Sequence, residues 1–183
     1  MAMASYSVRL YGDPVLKQPA RQIDQIDGNL VRLVDDMVET MYDAVGAGLA
    51  APQVGVQKRL FVYDVGDGPE VVINPTIVET SGEWYHDEGC LSIPGLRLGI
   101  IRPDRVHLVG VDLEGEEVSI EADEFLGRVF QHEVDHLDGV LMLERLDPDQ
   151  RKIALKVLRD RELGLDTAAL EEKLVSADSD QVV

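Results

Sequence analysis

Gln131-His132-Glu133-Val134-Asp135-His136 is the stretch on which the reading of this chain turns. On an α-helix, positions four apart lie one turn up the same face. His132 and His136 can then direct two imidazoles at one point, with Glu133 beside it. That pattern suits a divalent cation whose bound water is served by a neighbouring general base. Phe125, Leu126, Val129, Phe130, Val134 and Leu137 supply an apolar surface around the pair, so the helix is predicted to lie inside the fold. Asp123 reads as its N-cap and Gly139 as its C′ residue. A catalytic tetrahedral site takes three protein ligands. No histidine follows His136, and Glu144 comes too soon for an ordinary second ligand helix. His86, Cys90 and His107 are the upstream candidates.

Working outward, residues 106–112 and 117–121 flank Leu113-Glu114-Gly115-Glu116 as a β-hairpin. Residues 60–64 and 71–74 read as strands around the turn Gly66-Asp67-Gly68-Pro69, and 76–79 continues the sheet after Pro75. Leu30, Leu33, Val34, Met37, Val38, Met41, Tyr42 and Val45 follow the spacing of one helix face. Asp27 or Asn29 is the candidate N-cap, and Gly46 stops the helix. Residues 46–55 read as a glycine-rich loop and 11–20 as an irregular opening segment. A last helix is predicted over about 149–162, with Ile153, Val157 and Leu158 facing the body. The sum is an α+β domain: mixed, mainly antiparallel small sheets around a central metal-binding helix, with N-terminal and C-terminal helices. Residues 1–165 form the expected catalytic domain, and 166–183 an acidic, disordered tail.

The chain has 183 residues, 45% of them apolar, and a formal net charge of −18 from 35 acidic and 17 basic residues. That balance disfavours direct DNA binding, which needs clustered Lys and Arg, and adsorption to anionic lipid. No apolar run reaches the ~18–20 residues of a membrane span. The start, Met1-Ala2-Met3-Ala4-Ser5, has neither a basic nor an apolar leader region, so a cytoplasmic protein is expected. Cys90 is the sole cysteine, which excludes an intramolecular disulfide.

Three separated motifs carry a family resemblance: Gly46-Ala47-Gly48-Leu49-Ala50-Ala51-Pro52-Gln53, Glu88-Gly89-Cys90-Leu91-Ser92, and the histidine motif. Together with Gly12-Asp13-Pro14-Val15-Leu16, and extending to about Leu146, the chain resembles a bacterial peptide deformylase. The resemblance implies removal of the formyl group from N-terminal formylmethionine of newly made polypeptides, with release of formate. It implies that Cys90, His132 and His136 hold one divalent metal, Fe(II) in the cell, with zinc, nickel or cobalt also able to occupy the site. Glu133 would be general base and then general acid, and Gln53 and the Leu91 N–H the oxyanion donors. Gly46, Gly48, Ile93, Arg97, Phe125 and Val129 would bind the substrate.

The glycines at 46 and 48 follow a helix instead of a strand, which argues against dinucleotide binding. Two departures from the family pattern, Ala47 and Gly127, both remove volume and imply a roomier methionine pocket. Arg151, Lys152, Lys156, Arg159 and Arg161 form the most basic stretch, a candidate ribosome contact if not simply a solvated face. The rivals are a zinc peptidase built on the same helix and a non-catalytic redox module centred on Cys90.

Overall fold

The computed structural model describes residues 5–179. Seven strands and four α-helices follow one another: α1 (Gly28–Asp43), β1 (Gly48–Ala50), β2 (Leu60–Tyr63), β3 (Glu70–Ser81), β4 (Trp84–Cys90), β5 (Ile93–Arg102), β6 (Arg105–Val111), β7 (Glu117–Asp123), α2 (Glu124–Leu137), α3 (Pro148–Glu162) and α4 (Ala168–Ser179). The first sheet has the order β1-β2-β3-β6-β7, and β4 and β5 form a separate two-stranded sheet. Every strand pairing is antiparallel, in keeping with the expected α+β class.

The larger sheet lies between α1 and α2, and β2 shows why. Its four residues are all buried, and successive side chains point to opposite faces. Leu60 and Val62 pack with Leu30, Val34, Met37 and Met41 of α1. Phe61 and Tyr63 pack with Val129, Phe130 and Val134 of α2, the Tyr63 and Phe130 rings meeting edge to face at 5.0 Å. A strand covered on both faces loses its polar alternation, which is why residues 60–64 read as a continuous apolar run.

β3 runs through Pro75 as one strand. Its ladder to β6 shifts register between Ile73 and Thr76, which accommodates a residue with no N–H. Asn74 adopts φ 52° and its side chain bonds both the N–H and the carbonyl of Ile23, at 2.9 Å each.

Three elements depart from expectation. Residues 46–55 are more regular than a loop, containing β1 and a 3-10 turn over Ala51–Val54. The β4–β5 hairpin was not predicted, although Leu96, Leu98 and Ile100 alternate along β5 and pack against Ala154 and Val157 of α3. The disordered tail is corrected over most of its length. Leu170 and Leu174, one turn apart on α4, pack onto that same cluster, and Arg161 pairs with Glu171 at 3.0 Å. This apolar pair is what lets an otherwise acidic segment hold a helix. Residues 180–183 lie outside the described residues, as does the start over 1–4.

Candidate metal centre

α2 places its working face inward. His132, Glu133 and His136 are all buried, and Cys90 comes to them from the end of β4. Cys90 Sγ lies 3.2 Å from His136 Nε2, which lies 3.2 Å from His132 Nε2. Among the described residues these three form the one group of potential ligands whose donor atoms lie within 4.8 Å of one another. A thiolate and two imidazole nitrogens form a donor set that suits a transition metal or zinc, so the residues present fit a divalent metal. The other candidates fall away. His86 stacks on Trp84 at 4.5 Å, His107 bonds Ser119 at 2.8 Å, and Glu144 engages Lys17 and the Leu141 N–H.

Behind His132 stands a buried ionic network that sequence reasoning missed. Glu88 accepts from His132 Nδ1 at 2.6 Å, which turns Nε2 toward Cys90. Glu88 also accepts from Arg102 at 2.7 and 2.6 Å and from Arg128 at 3.0 Å. Arg102 continues to Asp135 at 2.9 Å, and Arg145 bonds Asp135 from outside. Burial alone would raise the Glu88 pKa, but the Arg102 and His132 hydrogen bonds outweigh it and hold the carboxyl well below the usual range. One signal was available: Glu88 and Cys90 are two apart on a strand, so both face the same side.

Glu133 behaves oppositely. Its pKa is pushed up to about 7, chiefly by burial, and its Oε2 has no hydrogen-bond partner. A Cβ on Gly48 would collide with Glu133 Oε1, so glycine at 48 is what lets the carboxylate reach the cavity. Gln53 is buried too. Its Oε1 accepts from the Ala50 N–H at 2.8 Å, which leaves Nε2 facing Ser92 Oγ at 3.2 Å and Cys90 Sγ at 3.9 Å. The amide therefore presents its donor side to the metal cluster.

Cys90, His132, Glu133 and Gln53 open on a cavity of about 670 Å³, lined also by Gly46, Ala47, Gly48, Leu91, Arg97, Phe125 and Val129. Ile93 is a correction. It is fully buried in the core beneath the cavity and does not line it, because the turn after Cys90 sends it into the β5 face packed on α3. Gly127 is a second correction. A Cβ there would meet the Ala122 and Asp104 carbonyls at 3.2 and 3.3 Å, so its small size serves helix–sheet packing and not pocket volume. Ala47 lines the cavity.

The polypeptide deformylase family matches residues 5–152 of the chain. The peptide deformylase of Clostridium botulinum is 52% identical over 143 residues, 78% of this chain and 97% of that protein. The crystal structure of peptide deformylase from Thermotoga maritima superposes with a TM-score of 0.77 at 46% identity, covering 79% of this chain and 99% of that one. A Met-Ala-Ser-bound peptide deformylase from Acinetobacter baumannii gives 0.76 at 33% identity, covering 79% and 100%.

Proposed function

The chain belongs to the peptide deformylase family, and from that premise we propose that it removes the formyl group from the N-terminal formylmethionine of newly made polypeptides. The observation that carries the reading is a buried cluster of three potential metal donors, two of which, Cys90 and His132, line one cavity with a buried glutamate that has a free oxygen. Cys90, His132 and His136 would hold one divalent metal, Fe(II) in the cell, with zinc, nickel and cobalt fitting the same donors. When bound, it supplies Lewis acidity that polarises the formyl group and lets water ionise near neutral pH.

Glu133 takes a proton from the attacking water on its unpartnered oxygen and passes it to the departing α-amine. Gln53 Nε2 and the Leu91 N–H donate to the oxygen on which charge develops. Val129 and Phe125 cover the methionine side chain, the backbone at Gly46 and Gly48 receives the peptide, and Arg97 reaches its carbonyls. The Acinetobacter relative is Met-Ala-Ser-bound, and a bound peptide that begins with methionine supports a methionine-first peptide as the ligand here.

The test is anaerobic formate release from formyl-Met-Ala by Fe(II)-loaded protein, beside an internal-peptide substrate. Absence of formate sinks the proposal, and cleavage of the internal peptide favours a zinc peptidase. Gln53→Ala is expected to lower kcat by roughly 10²–10³-fold with metal content retained; unchanged turnover would remove Gln53 from the reaction. Gly48→Ala is expected to cost on the order of 10²-fold by displacing the Glu133 carboxylate, again with metal content unchanged.

No helix among the described residues is long and apolar enough to cross a membrane, which is compatible with work in the cytoplasm. The ribosome contact through α3 is narrower than the five basic residues suggested. Lys156 and Arg159 pair with Asp160 at 2.6 and 2.8 Å, and Arg161 pairs with Glu171. Arg151 has the longest of these pairs, 3.8 Å to Glu144, and with Lys152 it is the part of the stretch least tightly held by acidic partners. Salt-sensitive co-sedimentation with ribosomes, lost on neutralising Arg151 and Lys152, is the expected result. Sedimentation indifferent to both removes the contact.

A further inference from the structure

Gly46 does not close α1 in the way its sequence position suggests. Ala44 is the C-cap, the Val45 N–H bonds the Tyr42 carbonyl at 3.0 Å, and the Gly46 N–H bonds the Met41 carbonyl at 2.9 Å. That is the Schellman pattern, whose left-handed C′ position favours glycine. Here Val45 occupies it, with φ 56°, a conformation costly for a β-branched residue. The glycine one place later answers a different need, since a Cβ at 46 would lie 2.8 Å from Leu91 Cδ1.

Val45 is also 92% exposed, so its methyls bury nothing that would offset the strain. Neither property serves folding. Strained positions that persist cluster at ligand sites, and Val45 lines the same cavity as His132 and Glu133. β1 is a terminal strand of its sheet, so among the described residues one edge is left without a strand partner, and an extended peptide can add to it. Gly48 abuts Glu133, and Val45 lies three residues upstream, up to about 10 Å along extended chain. A peptide held with its formyl carbon at Glu133 meets β1 at its first residue, Gly48, and, running antiparallel, follows the chain back past Ala47 and Gly46 along the same cavity, which brings its third residue toward Val45.

Resting on the deformylase reading, we propose that Val45 is a specificity-determining residue that selects an apolar side chain at the third position of the formylated peptide, two places after formylmethionine. The bound peptide covers the exposed methyls, and the strained cap holds them on the lip of the cavity before it arrives.

The experiment compares kcat/KM for formyl-Met-Ala-Leu and formyl-Met-Ala-Asn. These side chains are of similar size and uncharged, so the strong negative charge of the protein does not bias the comparison. Leu is expected to lead by roughly 3–10-fold, the effect of covering a few tens of Å² of apolar surface. Val45→Gly and Val45→Asn both suit the left-handed cap. Each should bring the ratio to within about twofold, through a higher KM on the Leu peptide and not a lower kcat. An equal ratio in wild type and both variants overturns the proposal. Failure of the wild type to release formate from either peptide, or from formyl-Met-Ala, overturns the deformylase reading instead.

Discussion

Glu133→Gln is expected to lower formate release from formyl-Met-Ala by roughly 10²–10⁴-fold while the protein retains its fold and its metal. The substitution keeps the shape of the side chain and the close approach of Gly48, but removes the group proposed to accept a proton. Burial pushes the Glu133 carboxyl up to about 7. The cation expected beside it works in the opposite direction, since positive charge favours the carboxylate. A general base must be ionised, so kcat/KM should rise with pH through the Glu133 pKa and then level. The acid limb should lie below pH 7 in the loaded enzyme and vanish in Glu133→Gln. Metal content by elemental analysis, with pH profiles of both proteins, checks this; a variant with full turnover would show that another group moves the proton.

The second large effect is on stability. Glu88 is 5% exposed and bonds three partners that are themselves buried: Arg102, Arg128 and His132. Glu88→Ala leaves two guanidinium groups without their shared counter-charge, and breaking a buried pair in this way costs about 3–5 kcal/mol. It also frees His132 Nδ1, so the ring loses the contact that sets its orientation and metal affinity should fall by roughly 10–100-fold. Urea unfolding and metal titration measure the two effects separately. Glu88→Gln, which keeps the size of the side chain but not its charge, should recover only part of the loss. The pH dependence follows from the direction of the shift. A carboxyl whose folded pKa is depressed contributes its full stability above the unfolded value, near 4.3, and loses it as pH falls toward the folded value. The wild type should therefore lose stability progressively below about pH 4, and Glu88→Ala should lose less over the same interval. Equal midpoints for wild type and Glu88→Ala would show that the network contributes nothing net.

Much of this could be read from the chain because it is local. α1 carries its apolar stripe and its Asp27 cap within one segment, and α2 carries two candidate ligands and a glutamate on consecutive turns. Gln53 was reached through a motif, and its neighbours explain it: the Ala50 N–H takes one end of the amide and leaves the other for the cavity. The misses share a cause. β4 and β5 hold Pro94, Gly95, Gly99 and several charges, and they become strands because they pair with each other. Ile93 and Gly127 sit next to residues that line the cavity, yet Ile93 points into the core and Gly127 faces the Ala122 and Asp104 carbonyls. α4 looked too acidic to order until Leu170 and Leu174 found a surface formed by distant segments.

Periodicity, caps and the spacing of two histidines on one helix are decided within a few residues, so the sequence by itself determined the α+β class, the buried metal-binding helix and the candidate ligands. The tertiary structure alone decided that Glu88 serves His132 while Arg102 and Asp135 serve Glu88, that Ile93 belongs to the core, and that Val45 stands strained at the mouth of the cavity. These depend on which distant segments meet, and on which way a side chain points once neighbouring backbone has closed the alternatives. Short-range patterns cannot carry that information, because each such contact is made only after the chain has paid the entropy of bringing remote residues together.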